Sequence, residues 1–184
     1  MHIYMKKYLL SLAIFVSACQ SSPQNAGKQV YWDFPSFFLQ QADALQVEKP
    51  RWEKSVWVEQ QREVKEVKNV DWEKELALFL EIDLNKTAYL GQVSVNTTDS
   101  LTHYQVTEPE LPIREVKIRW ATPQQTPARI DMHWHSENKL YQTDKKLIAF
   151  FKEGKLDSYQ IQTFQKITGL SPDKVRLEAK RKGS

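Results

Sequence analysis

Glu115-Val116-Lys117-Ile118-Arg119-Trp120 is the stretch that decides the fold, because charged and apolar side chains alternate along it without a break. Successive side chains of a β-strand point to opposite faces of a sheet, so this alternation predicts a strand with one buried face and one solvated face. Strands of this kind are typical of antiparallel sheets. The stretch therefore indicates a half-buried antiparallel strand.

Segments with a related pattern lie on both sides of this stretch. The turn-forming sequences Glu153-Gly154-Lys155 and Gly169-Leu170-Ser171-Pro172 separate the last three of them. We therefore predict a meander of strands at roughly 88–96, 101–107, 115–120, 127–137, 139–152, 156–167 and 173–181.

Two segments ahead of the meander have the apolar spacing of helices. Asp33 is placed to cap a first helix, with Pro35 in its first turn and an apolar face made of Phe34, Phe37, Phe38 and Leu45. Asp71 is placed to cap a second helix, with an apolar face made of Trp72, Leu76, Phe79 and Leu80. Between the two helices, residues 52–59 and 63–67 predict a hairpin.

These elements predict an α+β fold for a single domain over residues 30–182. A sheet with one apolar face needs a cover, and the two helices are the segments that can supply it. We expect both helices to pack on the concave side of a curved antiparallel meander, in a half-barrel-like arrangement.

The N-terminus has the layout of a secretory signal peptide. Lys6 and Lys7 precede the apolar run Leu9–Val16, which is shorter than the roughly 20 residues that span a bilayer. The sequence Val16-Ser17-Ala18-Cys19 resembles the lipobox of bacterial lipoprotein precursors. The resemblance implies cleavage between Ala18 and Cys19 and attachment of a diacylglyceryl group to the thiol of Cys19.

This resemblance implies a membrane as a partner and a place in the bacterial envelope. Residues 1–18 are the expected signal peptide, and residues 19–29 form a polar segment typical of a flexible tether. Gln20 rather than Asp follows Cys19, and the acidic cluster of surface-exported Bacteroidota lipoproteins is absent. The resemblance thus implies an outer-membrane protein facing the periplasm.

A second short motif resembles a modification site of the same envelope compartment. Asp99-Ser100-Leu101 is similar to the three-residue O-glycosylation site of Bacteroidota periplasmic proteins. Together with the lipobox, it makes the chain similar to an envelope lipoprotein of that group.

Composition and missing motifs narrow the function classes. Loss of Lys6 and Lys7 with the signal peptide lowers the formal charge from +3 to +1, which predicts no nucleic-acid partner. Cys19 is the only cysteine, so the expected lipid attachment leaves none for a disulfide, a metal thiolate or a nucleophile. No phosphate loop, dinucleotide fingerprint, zinc-protease helix or nucleophile elbow is present. We predict no cofactor and no catalytic residues.

The sequence around His133 and His135 raises the alternative of a metal site. Asp131, His133, His135 and Glu137 share one face of a predicted strand, and two histidines spaced in this way can reach one metal ion. His103 is a third ligand only if its strand neighbours this one. Ile130, Met132 and Trp134 take the other face, as in any amphipathic strand, so a solvent-facing strand is the simpler prediction.

Aromatic residues recur through the predicted elements and either pack a core or line a cavity. They are Trp32, Trp52, Trp57, Trp120, Trp134, Tyr141, Phe150, Phe151, Tyr159 and Phe164. Envelope carriers of lipoproteins and lipids, of the LolA and LolB type, enclose apolar ligands under curved sheets, and the likeness to them is one of layout alone.

The C-terminal end is basic, with Lys174, Arg176, Lys180, Arg181 and Lys182. It predicts either a solvated surface or a contact with lipid phosphates or an acidic partner. From all these features we expect a non-catalytic binding or assembly module of the envelope, monomeric or weakly associating, with a protein partner or an apolar ligand. The alternatives are a carrier of an apolar ligand or lipid, and a metal-dependent or carboxylate hydrolase.

Overall fold

The computed structural model describes residues 29–59, 61–121 and 126–183. Its helices are α1 (Phe34–Glu48), α2 (Trp72–Glu75) and α3 (Ala77–Leu80), with a short 3₁₀ turn at Thr87–Tyr89. Its strands are β1 (Trp52–Val58), β2 (Gln61–Val67), β3 (Val93–Thr97), β4 (Leu101–Val106), β5 (Ile113–Trp120), β6 (Pro127–Glu137), β7 (Tyr141–Lys152), β8 (Lys155–Ile167) and β9 (Asp173–Arg181).

All of these strands belong to one antiparallel sheet with the order β2-β1-β9-β8-β7-β6-β5-β4-β3. Strands β3 to β9 follow one another as neighbours, which confirms the order of the predicted meander. The prediction of a first strand from residue 88 is wrong, because Thr87–Tyr89 form the 3₁₀ turn and the strand begins at Val93. The predicted hairpin is confirmed as β1 and β2, and it joins the same sheet because β1 pairs with β9 along its whole length. The sheet ends at β2 on one side and at β3 on the other.

The predicted α+β, half-barrel-like fold class is wrong. The structure is mostly one nine-strand antiparallel sheet, in which 52% of the described residues are in strands and 17% in helices, and the sheet is not closed into a barrel. Only one helix of the described residues is seven residues or longer. The pairing of β1 with β9 brings the hairpin into the sheet and makes the sheet the dominant element.

The predicted second helix is broken into α2 and α3 at Leu76. Leu76 has φ −94° and ψ 9°, outside the regular helical region, and each of the two pieces is four residues long. Asp71 still caps the first piece, because its side chain accepts a hydrogen bond from the Lys74 N–H. Trp72, Leu76 and Phe79 are buried as the spacing predicts, so two short turns satisfy the same pattern as one helix.

Helix α1 follows its prediction closely. The Asp33 carboxylate accepts a hydrogen bond from the Ser36 N–H at 3.0 Å, which satisfies one of the free N–H groups of the first turn. The helix buries a stripe made of Phe34, Phe38, Ala42 and Leu45. Its rings contact both the short helices and the sheet: Phe38 stacks on Phe79 with centroids 4.8 Å apart, and Phe37 meets Phe151 at 5.2 Å.

The two faces of the sheet therefore have different surroundings. The helix face, on which α1 to α3 pack, carries two cross-strand rows of buried side chains, made of Val116, Met132 and Leu147 and of Ile118, Ile130, Ala149, Tyr159 and Ala179. Residues of the opposite parity point away from the helices and form what we call the open face. Because burial of the two apolar rows stabilises the domain, the open face is free to carry polar and charged groups.

Candidate functional site

One cross-strand row of side chains crosses the open face from edge to edge. Every strand contributes one residue to it, and each residue lies directly opposite the next. From β2 to β3 the row is Arg62, Trp57, Arg176, Gln162, Lys146, His133, Glu115, Gln105 and Ser94. The β2 end of the row is cationic and aromatic.

Trp57 lies between two guanidinium groups at that end. The guanidinium carbon of Arg62 is 4.9 Å from the Trp57 ring centroid, and that of Arg176 is 5.1 Å from it. Arg62 Nη2 also donates a hydrogen bond to Ser55 Oγ at 3.1 Å, and Arg176 pairs with Glu178. These contacts hold both cations against the ring, an arrangement favoured by the negative face of an aromatic system.

A groove of about 610 Å³ opens beside Trp57. Its lining combines aromatic rings with cations, acids and neutral side chains: Trp57, Glu59, Asp144, Lys146, Gln162, Thr163, Phe164, Lys174, Val175 and Arg176. Lys174 Nζ lies 5.8 Å from the Phe164 ring centroid. The groove has the size of a small-molecule site and offers flat apolar surfaces next to positive charge.

Asp144 is one of the two acids that line the groove, and each of its carboxylate oxygens lies next to a histidine. His133 Nε2 lies 2.8 Å from Asp144 Oδ1, and His135 Nδ1 lies 2.6 Å from Asp144 Oδ2. Partial burial raises the pKa of Asp144, but the hydrogen bonds and charge interactions with His135 and His133 outweigh burial and lower it below its usual value. Asp144 is therefore held as a carboxylate whose two oxygens already have partners.

His103 does not join this cluster. It lies on β4, which β5 separates from β6, and its Nε2 is 3.0 Å from Glu115 Oε2. Lys117 Nζ lies 2.7 Å from the same oxygen. Burial raises the pKa of Glu115, and the hydrogen bonds and charges of Lys117 and His103 lower it to a net value below its usual one.

The condition under which His103 could be a third ligand of the alternative metal site is thus not met. Asp131, His133, His135 and Glu137 lie on β6 as predicted, with Ile130 and Met132 buried behind them. Asp131 is engaged by Arg129, and His133 and His135 share Asp144. In the part of the chain that the structure describes, no three His, Cys, Asp or Glu side chains are placed to hold a metal ion.

A separate polar cluster lies inside the helix face. The Tyr159 hydroxyl donates a hydrogen bond to Glu75 Oε1, and Lys54 Nζ is 2.6 Å from the same oxygen. Burial, followed by the charge and hydrogen bond of Glu75, raises the pKa of Tyr159 far above its usual value. This cluster ties the break between α2 and α3 to strands β1 and β8, and no groove among those described reaches it.

The predicted aromatic set divides between the two sides of the sheet. Trp52, Phe151 and Tyr159 are buried in the core, whereas Trp57, Phe150 and Phe164 lie on the open face under Arg or Lys side chains. Trp32 and Trp120 line an opening of about 500 Å³ at the margin between α1 and the sheet. The sequence treated these aromatic residues as one set and did not show which of them lie in the core and which lie on the open face.

Some predicted features lie elsewhere. Ala18, Cys19 and the signal peptide fall outside the described residues, so cleavage and lipid attachment stay predictions. Asp99 and Ser100 lie in an exposed turn between β3 and β4. No helix in residues 29–59, 61–121 and 126–183 has the length and apolarity required to cross a membrane.

Sequence reasoning did not identify Lys146 as a site residue, and it treated Lys174 and Arg176 only as part of a basic end. The signal that could have placed them is strand parity, since Lys146 shares a face with Asp144 along β7, and Arg176 shares one with Lys174 along β9. Comparison of the chain with protein-family models, curated proteins and solved structures found no match.

Proposed function

We propose that this chain is a lipid-anchored protein of the bacterial envelope that binds an anionic ligand in the open-face groove and does not catalyse a reaction. The observation that carries the proposal is the lining of that groove, where Lys146, Lys174 and Arg176 lie beside the rings of Trp57 and Phe164. A ligand with a phosphate or carboxylate group and a flat or apolar part fits both features.

The charges of the groove favour an anion. Its two acids are Glu59 and Asp144, and both carboxylate oxygens of Asp144 already interact with histidines. Within the described residues, neither Lys146 nor Lys174 is paired with an acid, and both are exposed. These two ammonium groups are therefore available to a ligand.

The anchor rests on the sequence around Cys19. If the segment predicted from sequence as a flexible tether behaves as one, its roughly ten residues span on the order of 18 Å and keep the domain near the bilayer. The domain begins at a defined point, because the N–H groups of Val30 and Tyr31 both donate to Asn85 Oδ1, at 3.0 and 2.9 Å. A groove for anions close to a membrane is suited to phosphate- or carboxylate-bearing envelope components.

Calorimetry of the full chain in a non-ionic detergent tests the binding. Inorganic tripolyphosphate is the charged probe, and a neutral maltooligosaccharide is the negative control. A hydrogen bond to a charged group contributes roughly 1.5–3 kcal/mol, so the variant K146A/K174A is expected to bind tripolyphosphate at least about tenfold more weakly. The matched variant K86A/K152A removes two exposed lysines outside the groove and is expected to bind normally.

Two results would contradict this proposal. One is equal binding of tripolyphosphate by K146A/K174A and K86A/K152A, which would show that the contact is not in the groove. The other is binding of the neutral oligosaccharide as tightly as of the anion. Intact mass of the protein from the membrane fraction tests the anchor separately, since an unmodified Cys19 or an uncleaved leader would overturn that part.

A second candidate function is carriage of an apolar ligand. The opening between α1 and the sheet is lined in part by Trp32, Phe37, Tyr104 and Trp120, which supports this alternative. Native mass spectrometry of the protein purified from cells would detect a retained lipid. A lipid lost on substitution of Trp32 or Trp120, but kept in K146A/K174A, would favour the carrier over the anion-binding module.

A further inference from the structure

Among the described strands, β2 is an edge of the sheet. The backbone groups of β2 that point away from the sheet can be assigned. The Lys182 N–H donates to the Arg51 carbonyl oxygen at 2.9 Å, so Arg51 faces β9. Antiparallel backbone groups alternate in direction along a strand, so Trp52 and Lys54 face β2, where they lie opposite Val67 and Lys65. The N–H and C=O groups of Arg62, Val64 and Glu66 therefore point away from the sheet.

The side chains of this edge are complementary to themselves. The strand reads Gln61-Arg62-Glu63-Val64-Lys65-Glu66-Val67, with Val64 at its centre. A two-fold axis through Val64 places Arg62 opposite Glu66 of a second copy and Glu63 opposite Lys65 of that copy. Both pairings occur twice by symmetry, and the outward N–H and C=O groups are the ones that meet.

We propose that β2 is a self-association edge through which two copies of this chain join their sheets, in the register centred on Val64. The occupant of the edge is thus a second copy of the same strand. The interface is one strand wide, so we expect a weak, concentration-dependent dimer.

Charge selects this register over its neighbours. Shifting the axis to Glu63 puts Glu63 opposite its own copy, and shifting it to Lys65 puts Lys65 opposite its own copy. Like charges directly opposite on paired strands are destabilising, whereas opposite charges stabilise. Of the three central registers that keep the same faces together, only the one centred on Val64 pairs every charge with its opposite.

The other edge lacks this property. Strand β3 runs from Val93 to Thr97 and contains no charged residue, so no pairing of charges in it favours one register over another. Charged side chains on an edge strand normally discourage pairing with foreign strands. In β2 the charged side chains alternate in sign, so they still discourage pairing with most other strands. They favour pairing with a second copy of β2, because every charge then lies opposite one of the other sign.

The pairing of Glu63 in one copy with Lys65 in the other is the part of the interface that substitutions test most directly. Arg62 and Glu66 already contact Ser55 and Lys182 within the chain. Glu63 and Lys65 are exposed, and within the described residues neither forms an ion pair. Changing these two side chains therefore alters the association with little effect on the fold.

Sedimentation equilibrium of the full chain in a density-matched detergent measures the dimer dissociation constant. E63K and K65E each convert two attractive pairs into two repulsive ones, so each is expected to raise that constant roughly tenfold or more. The double variant E63K/K65E restores opposite charges across the axis and is expected to return within about threefold of the parent. A parent that stays monomeric, or a double variant no better than the singles, would overturn the proposal.

Proline substitution tests the backbone part of the interface. V64P removes an N–H that points away from the sheet and leaves the hydrogen bonds to β1 intact. V95P makes the equivalent change in β3, the other edge strand. Thr107 N–H donates to the Gln92 carbonyl oxygen, which sets Val95 outward on β3. We expect V64P to abolish the dimer and V95P to leave it unchanged. The reverse result would place the contact at β3 and overturn the proposal.

Discussion

The guanidinium carbon of Arg176 lies 5.1 Å from the ring centroid of Trp57, directly across the pairing of β1 with β9. This contact joins the N-terminal hairpin to the last strand of the chain. It also forms one side of the groove proposed to bind an anion. One pair of residues therefore contributes both to the cohesion of the sheet and to the proposed site.

Substituting Trp57 tests the first of these roles. A cation–π interaction near the protein surface contributes about 0.5–1 kcal/mol. Trp57 has two of them, so we expect W57A to lower the free energy of unfolding by about 1–2 kcal/mol. W57F keeps a ring and is expected to lose less. Urea unfolding followed by circular dichroism measures both. Equal stability of W57A and the parent would contradict the packing described.

The core beneath α1 predicts a larger effect at Phe38. Phe38 is fully buried and stacks on Phe79, so F38A is expected to cost about 3–5 kcal/mol of unfolding free energy. The neighbouring Leu39 is 41% exposed, so L39A is the matched control. We expect L39A to change stability by less than about 1 kcal/mol. Comparable losses for the two variants, measured by urea unfolding, would contradict the assigned face of α1.

Asp144 predicts a dependence of stability on acid pH. Its folded-state pKa is lowered, so its contribution is present above the unfolded pKa of about 3.9 and is lost as the pH falls through the folded value. The stability difference between the parent and D144N should therefore shrink as the pH falls below about 4. Urea midpoints between pH 6 and pH 2 measure it. A difference that stays constant would mean that the histidines do not hold the carboxylate.

The raised pKa of Tyr159 predicts that its contribution to stability is lost at alkaline pH, whereas that of Asp144 is lost at acid pH. Its folded-state pKa is raised, so its contribution is complete below the unfolded pKa of about 10 and decreases as the pH rises beyond that value. Y159F also removes the hydrogen bond to Glu75, for a loss of roughly 1.5–3 kcal/mol at neutral pH. Thermal melts should show this gap narrowing above pH 10. A gap that widens there would contradict the buried contact.

Local patterns account for the parts of the fold that the sequence predicted. The alternation in residues 115–120 and the cap at Asp33 depend on neighbours in the chain, and both are confirmed. The second helix was overpredicted because Trp72, Leu76 and Phe79 are buried equally well by two short turns. The pairing of Trp57 with Arg176 joins distant parts of the chain, which no local periodicity can show.

The same distinction applies to the site. His135 and Asp144 meet across one hairpin, so the parity of β6 and β7 could have brought them together from the sequence. The groove combines residues of three strands, Lys146, Lys174 and Trp57, and no short sequence motif indicates the order of these strands in the sheet. The groove could therefore be identified only once the order of the strands was known. The simpler prediction of a solvent-facing strand around His133 did not include Asp144, the carboxylate next to His133.

Fluorine NMR of the full chain labelled with 5-fluorotryptophan tests the central claim most directly, since W57F identifies the signal of Trp57. We predict that added tripolyphosphate shifts the Trp57 signal, that the signal of the buried Trp52 stays in place, and that K146A/K174A abolishes the shift. An unchanged Trp57 signal at saturating tripolyphosphate, or a shift that persists in K146A/K174A, would contradict an anion-binding groove on the open face.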